Sequence, residues 1–444
     1  MQGETIAAIA TPPGEGALAV IRISGAKAIA VADSVFRGKE IPSQAEERRV
    51  LFGRIMGADE AVIDEVLLTV FLNPRSYTGE DLVEISGHGG PVVASRVLGA
   101  VLAAGSRMAR PGEFTERAFL HGKLDLTRAE AVMDLIGAQT ERAAKAAAGQ
   151  LAGRLGAAIN TLRGEILEAV AHLEAFIDFP EEGIDPESGE VLRKRMESAE
   201  GHLGRLLATA AEGRLLREGI SLALCGAPNA GKSSLLNQLL GFDRAIVSET
   251  AGTTRDTIEE RASLGGYPFR VIDTAGLRET EDPVEREGVE RARRAAETAD
   301  LRIRLVDAAA DQGPVIPLFT DELVVLNKVD LVKDRSALPS GIPISCHTGE
   351  GIETLVAAIL SKVTGRNAGE AEPDVTAINT RHRDCLRKAQ CHLGAAIALL
   401  ESCEPPELVA VELRSALGDV GEVVGAAGTE EILGKIFSSF CIGK

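Results

Sequence analysis

The stretch SLALCGAPNAGKSSLL, residues 221–236, decides the architecture of the middle of this chain. Its apolar opening, Ser221–Cys225, reads as a buried strand, and Ser234-Leu235-Leu236 opens a helix. Between them stands Gly226-Ala227-Pro228-Asn229-Ala230-Gly231-Lys232-Ser233, a complete G-x-x-x-x-G-K-[ST] run in the strand, turn and helix setting that the pattern requires. The glycines let the backbone wrap closely, and the loop amides with the helix N-terminus cradle phosphates. Lys232 can then reach the β- and γ-phosphates while the Ser233 hydroxyl binds Mg2+.

Two further motifs follow in order. Asp273-Thr274-Ala275-Gly276 succeeds the apolar run Phe269–Ile272, which puts a carboxylate beside the metal and a glycine amide near the γ-phosphate. Asn327-Lys328-Val329-Asp330 succeeds Leu323–Leu326, so Asp330 can accept hydrogen bonds from guanine N1 and N2 while Asn327 supports the base. Adenine would leave that carboxylate unpaired, and such sites reject analogues by about 10⁴–10⁵, so the nucleotide reads as GTP. Pro343-Ile344-Ser345-Cys346-His347 stands where a last strand would offer amides to guanine O6. The polar segment Ser248-Glu249-Thr250-Ala251-Gly252-Thr253-Thr254-Arg255-Asp256 suits a switch loop, with Thr254 as the second hydroxyl on Mg2+. With Ser234, these segments make up the expected nucleotide contacts. Leu277 follows Gly276 where Ras-type sites place a water-orienting glutamine, so developing charge must be handled by Glu285, Arg255, Arg278 or a cation in the loop.

The surrounding pattern extends this reading to the whole chain. From Ile220 to about Thr364, β-rich runs such as Leu301–Val306 and Ile342–Ile344 alternate with helical segments, the signature of a doubly wound sheet. Residues 1–119 read as a separate α/β domain with strands Ile6–Ile9, Leu18–Ile23, Val66–Phe71 and Leu82–Ile85. No proline interrupts the segment between Pro111 and Pro180, where Leu162, Ile166, Val170, Leu173 and Ile177 share one helical face, so long helices are expected. A second helical stretch spans about Glu187 to Arg217, and helical pattern resumes beyond a Gly/Glu/Pro-rich linker at 365–374. The expected organisation is α/β plus all-α: an N-terminal domain at 1–119, a helical domain in two parts at 120–217 and 367–444, and a Ras-like G domain inserted at 218–366.

Composition narrows the function classes. In 444 residues, 48 basic against 66 acidic side chains give a net charge of −18, which argues against broad binding of a phosphate backbone. With 12 Phe, 2 Tyr and no Trp, the stacking platforms of single-strand binders are also missing. The N-terminus has no basic region before its short apolar run, and no long apolar run occurs, so neither secretion nor a membrane span is expected. Six scattered cysteines without a C-x-x-C pair suit a reducing cytoplasm and suggest neither a zinc site nor a disulfide framework.

Over its whole length the chain resembles the MnmE/TrmE family of GTPases that modify the tRNA wobble uridine. The resemblance rests on Thr11-Pro12-Pro13-Gly14, Arg22-Ile23-Ser24-Gly25, Tyr77-Thr78-Gly79-Glu80-Asp81, Gly87-His88-Gly89-Gly90 and the run Arg110 to Phe119. It continues through Ala251-Gly252-Thr253-Thr254-Arg255-Asp256 to the terminal Phe437-Ser438-Ser439-Phe440-Cys441-Ile442-Gly443-Lys444. It implies a homodimer formed through the N-terminal domain, a formyl-tetrahydrofolate held by Arg22, Glu84, Lys123 and Lys444, and a K+ held by Asn229, Ser248, Thr250 and Thr253. It also implies that Glu285 orients the attacking water, with Lys232 and Thr254 completing the catalytic set. A flavin-dependent partner of the GidA/MnmG type, in a heterotetramer that carries the tRNA, is implied as well. Cys441 has either a part in the modification chemistry or a part in anchoring the tail. Three positions depart from the family pattern: Ser248 replaces a common threonine, and Cys346 and His347 replace the Ala-Lys of Ser-Ala-Lys. The alternative, a ribosome-assembly or regulatory GTPase of the Era type, requires an RNA-binding module. The tail runs Gly418-Asp419-Val420-Gly421 and Gly425-Ala426-Ala427-Gly428 lack the basic flank of such a clamp.

Overall fold

The structure is a computed structural model that describes residues 3–178, 189–242, 259–273, 297–310, 322–365, 378–426 and 430–444. The chain forms two compact units, one of Met1–Met133 with Gly421–Lys444 and one of Asp134–Val420.

The first unit is built on a seven-stranded sheet of order β3-β4-β5-β6-β2-β1-β7. Its strands are β1 (Ile6–Ile9), β2 (Leu18–Ser24), β3 (Phe36–Gly38), β4 (Val50–Met56), β5 (Val62–Phe71), β6 (Leu82–His88) and β7 (Arg107–Met108). All neighbours are antiparallel except β1 and β7. Alternation in β2 buries Ala19, Ile21 and Ile23 and turns Arg22 to the other face, opposite Glu84 of β6. The buried face packs on α1 (Ala28–Val35) and α2 (Pro91–Ala103) through Val31, Val97 and Val101. Strand β4 escapes the sequence reading because Gly53 interrupts its β-rich run. That glycine is required, since any Cβ there would meet the Phe36 ring and the Arg37 carbonyl.

The proline-free segment holds four helices: α3 (Glu113–Leu120), α4 (Leu126–Gly137), α5 (Glu141–Leu151) and α6 (Arg154–Asp178). Only α6, with 25 residues, has the length that was expected. Local signals cut the others short: Gly122 and Gly153 take positive φ, and the Thr140 side chain caps α5 by accepting from the Ala143 amide. Helix α7 (Gly189–Ala208) packs against both α6 and, further along the chain, the helix Thr380–Glu401. Leu162, Ile166, Val170 and Leu173 form the buried face of α6.

After the short helix α8 (Ala210–Glu218), the chain enters a six-stranded sheet of order β13-β12-β11-β8-β10-β9. These strands are β8 (Ile220–Gly226), β9 (Glu259–Leu264), β10 (Tyr267–Asp273), β11 (Leu301–Asp307), β12 (Glu322–Asn327) and β13 (Ile342–Pro343). The doubly wound sheet is as expected, apart from β9, an antiparallel edge strand whose charged run Glu-Glu-Arg hides it from a hydrophobic pattern. Helices α9 (Lys232–Phe242) and α10 (Ile352–Thr364) cover the sheet, with Leu235, Leu239, Leu355 and Ile359 in a core that includes Leu222, Phe269, Ile303 and Val325. Helices α11 (Thr380–Glu401), α12 (Pro406–Val424) and α13 (Glu430–Ser438) complete the chain. In the first unit, Phe437 and Phe440 bury against Leu126 and Ala129, with Phe119 6.4 Å from the Phe437 ring.

An ionic network ties the first unit together. Glu113 takes hydrogen bonds from Arg107 at 2.6 and 2.8 Å, from Arg117 at 3.0 Å and from the Arg110 amide at 2.9 Å. Arg117 also binds Glu80, which accepts from the Ser24 hydroxyl. Burial alone would raise the Glu113 pKa, but these donors outweigh it and hold the carboxyl down at about 2, against an ordinary 4.5. A carboxylate depressed in the folded state stabilises the fold fully above its unfolded pKa. That contribution is lost as pH falls from 4.5 toward about 2. Glu113→Gln is expected to cost about 3–5 kcal/mol at neutral pH in denaturant unfolding, and to flatten the acid limb of stability between those values.

Candidate functional site

The C-terminal ends of parallel strands converge where α/β sheets bind ligands. At the end of β8, the chain turns through Gly226, at φ +150°, and Asn229, at φ +65°, before α9 begins at Lys232. Gly226 has no room for a side chain beside the Leu305 carbonyl, and Gly231 has none beside the Asn327 amide. Lys232 is buried and donates to the carbonyls of Gly226 and Ala227 at 2.7 and 3.0 Å, so its ammonium lies over the loop. Ser233 and Ser234 are exposed in the first turn of α9, while Ala230 is buried beneath the loop.

Asn327 closes β12 with its side chain almost fully buried. Its Nδ2 donates to the Ala230 carbonyl at 2.8 Å and its Oδ1 accepts from the Cys346 amide at 3.0 Å, so one amide joins the phosphate loop to the base loop. The residue expected to support the base therefore also fixes both walls of the site. Lys328, at φ +66°, pairs with Asp307 at the end of β11 at 2.6 Å. Asp330 is exposed, and its carboxyl is held below the usual range, first by a hydrogen bond from Ser345 and also by nearby His347 and Arg335. Ser345 is buried, its Oγ accepting from the Thr348 amide at 3.2 Å. Burial, with the Asp330 charge adding to it, pushes the Cys346 thiol up to about 11, so it stays protonated at neutral pH. His347 is exposed.

Asp273 is placed by its backbone, as the last residue of β10 beside Leu224 of β8. Ser248, Glu249, Thr250, Ala251, Gly252, Thr253, Thr254 and Arg255 lie outside the described residues, as do Thr274, Ala275, Gly276, Leu277, Arg278 and Glu285.

Of the residues expected to hold folate, all in the first unit, the structure brings Arg22 and Glu84 together. Arg22 forms an ion pair with Glu84 at 2.7 Å and donates to the Gly443 carbonyl at 3.4 Å. Its guanidinium lies over the rings of Tyr77 and Phe114, at 5.3 and 5.7 Å. These aromatics were not picked out as site residues, although both stand in segments that carry the resemblance. Lys123 donates to the Pro74 carbonyl at 2.8 Å, and the Lys444 amide donates to the Cys441 carbonyl at 3.4 Å. Cys441 is exposed, and its carbonyl also accepts from the Gly112 amide, which anchors the tail through its backbone.

A phosphate loop joined by one buried amide to a guanine-reading loop defines a P-loop GTPase, and the chain is a GTP hydrolase. Residues 5–123 match the family model described as GTP-binding protein TrmE N-terminus, and residues 126–441 match that of the MnmE helical domain. The chain is 47% identical over 445 residues to tRNA modification GTPase MnmE of Akkermansia muciniphila, covering 99% of both chains. It is 46% identical over 462 residues to that of Symbiobacterium thermophilum, covering 100% of both. The chain belongs to the MnmE family. No helix among the described residues is long and apolar enough to cross a membrane.

Asp330→Asn exchanges an acceptor for a donor at the position expected to read guanine. It is expected to weaken GTP binding by about 10²-fold or more and to shift preference toward XTP, checked by competition binding of the two nucleotides.

Proposed function

We propose that this chain is a K+-stimulated GTPase which, with a flavin-dependent partner of the GidA/MnmG type, modifies carbon 5 of the tRNA wobble uridine. The product is an aminomethyl or carboxymethylaminomethyl group whose one-carbon unit comes from a formyl-tetrahydrofolate. GTP hydrolysis drives closing and opening of paired G domains rather than the carbon chemistry. The observation that carries this reading is the presence, in one chain of MnmE type, of a guanine-nucleotide loop and of the Arg22 and Glu84 cluster beneath the C-terminal tail.

The donors fit the groups that the family implies. Ser233 would hold Mg2+ together with Thr254, and Asn229, exposed in the phosphate loop, would hold K+ together with Ser248, Thr250 and Thr253. All are oxygen donors suited to hard cations. A K+ held there would supply positive charge where Leu277 stands in place of a glutamine. Lys232 would hold the phosphates, and Glu285 would orient water. For the folate, two cations of the set Arg22, Lys123 and Lys444 would pair its carboxylates, Glu84 would accept from pterin N–H groups, and the Tyr77 and Phe114 rings would offer apolar faces. A net charge of −18 suits a cytoplasmic homodimer, joined through its N-terminal domain, in a complex whose flavin partner holds most of the tRNA.

Wobble nucleosides from cells lacking the chain, measured by mass spectrometry, are expected to lose the modified uridine and to regain it with the wild type but not with Lys232→Ala. Unchanged nucleosides with abnormal ribosomal subunits would favour an assembly GTPase instead. In purified protein, replacing Na+ by K+ is expected to raise GTP turnover strongly, by up to the 10³–10⁵ range of an arginine finger, and equal rates in both ions would remove the cation from the mechanism.

A further inference from the structure

Helix α8 lies against the ends of the nucleotide sheet that are remote from the phosphate loop. It passes into β8 through Gly219 alone, and Gly219, at φ +77°, sits beside the Pro268 carbonyl. Arg214 of α8 reaches Asp300, just before β11, and Asp300 in turn accepts from the amide and hydroxyl of Ser221 in β8. One residue of α8 stands out. Glu212 is buried, and its Oε1 accepts both from the Arg142 guanidinium, on α5, at 2.5 Å and from the Tyr267 hydroxyl, at the start of β10, at 2.8 Å. The Arg142 guanidinium also lies 4.4 Å from the centroid of the Tyr267 ring.

We propose that Arg142, Glu212 and Tyr267 form the joint through which the nucleotide state of the sheet is passed to the helices around it, acting as positioning residues. The proposal rests on the reading of the chain as a GTPase coupled to a second chemistry. Strand β10 has Tyr267 at one end and Asp273, the first residue of the γ-phosphate motif, at the other. A hydrogen-bonded strand of that length is a stiff rod of about 20 Å, so a shift at Asp273 arrives at Tyr267 with little loss. There it meets an arrangement that does not yield gradually. One buried carboxylate oxygen serves a cation and a phenol, and the cation in turn rests on the ring of that phenol. Moving the ring breaks its hydrogen bond to Glu212 and its contact with Arg142 together while the Arg142–Glu212 pair stays, so the ring is either seated on that pair or off it, the condition that favours two discrete packings over continuous deformation.

Tyr267→Phe removes one hydroxyl and keeps the ring, while Glu212→Gln removes the charge and keeps the shape. Each variant, as full-length protein with a melting curve matching the wild type, would be assayed for GTP turnover and for amide hydrogen exchange of α5 and α8 in GDP and in a non-hydrolysable GTP analogue. Wobble modification would be scored in complemented cells. Turnover is expected to stay within about twofold, while the nucleotide-dependent difference in exchange and the modification level both fall by about fivefold or more, the size of an ordinary coupling between sites. Arg142→Lys, which keeps charge but loses the planar fork, should fall between these variants and the wild type. Wild-type exchange differences in Tyr267→Phe would overturn the proposal. So would turnover that declines in step with modification, since the residues would then serve hydrolysis itself. If the wild type fails to restore modification, the function reading falls, but the exchange experiment still decides the joint. Should Glu212→Gln fail to fold, Tyr267→Phe carries the decision.

Discussion

Gly443 lies against the Ile9 carbonyl so closely that no Cβ could be accommodated, and its own φ of +96° excludes most other residues. That contact is the constraint from which the chain's organisation follows. It is reinforced by Phe437 and Phe440, buried against Leu126 and Ala129, and by the Gly112 amide on the Cys441 carbonyl. The first strand and the last residue therefore share a unit, and the chain between Met133 and Gly421 is an excursion that must leave that unit and return to it. Helices on both flanks of the nucleotide sheet are accordingly brought into one bundle, as the packing of α7 on both α6 and α11 records. The same closure carries the Gly443 carbonyl to Arg22, so the tail completes the cluster around Glu84 rather than trailing from it.

The second unit relies on a comparable economy. Asn327 is a single buried amide whose two ends satisfy the Ala230 carbonyl and the Cys346 amide. A buried amide costs free energy unless it is paired, and here both pairings cross between loops remote in sequence. The spacing between phosphate loop and base loop is thus fixed by the protein itself, which lowers the ordering cost of binding a nucleotide that must touch both. Gly231 belongs to the same arrangement, since only a missing side chain lets Asn327 come so near.

The motif order made the nucleotide sheet legible because each motif stands directly after an apolar run, so chemistry and fold pointed to the same places. Strands β1 and β2 were legible for the ordinary reason that their apolar residues cluster in β-rich runs between turns. What escaped had identifiable causes. Gly53 splits β4, charge masks β9, and Gly122, Thr140 and Gly153 punctuate a helical pattern whose periodicity looks unbroken. Helical spacing also says nothing about which core a helix joins: Leu126 and Ala129 fall in the stretch expected to belong to the helical domain, yet they bury against the tail residues Phe437 and Phe440 in the first unit. The ionic groups were the least legible. Glu113 and Glu212 resemble any surface glutamate in a helical run; Glu113 is paired by arginines close in sequence, Arg107 and Arg117, whereas Glu212 depends on Tyr267 and Arg142, 55 and 70 residues away along the chain. Pattern arguments operate within a window, whereas these pairings are set by topology.

Cys346 and His347, the departures from the family's base loop, can be judged on the same terms. What the loop contributes at 346 is backbone: the amide meets Asn327 and the carbonyl accepts from Gln238 at 3.0 Å. The thiol is buried and protonated at neutral pH, which makes it a small apolar filler in the sheet's core rather than a reactive group. The polar side-chain work falls to Ser345, which matches the family and whose hydrogen bond is the main cause lowering the Asp330 carboxyl. His347 is exposed, and its nearness is a lesser contribution to lowering the Asp330 carboxyl. In the proposed reading guanine selection falls to Asn327, Asp330 and Ser345, and position 346 serves the loop through its main chain.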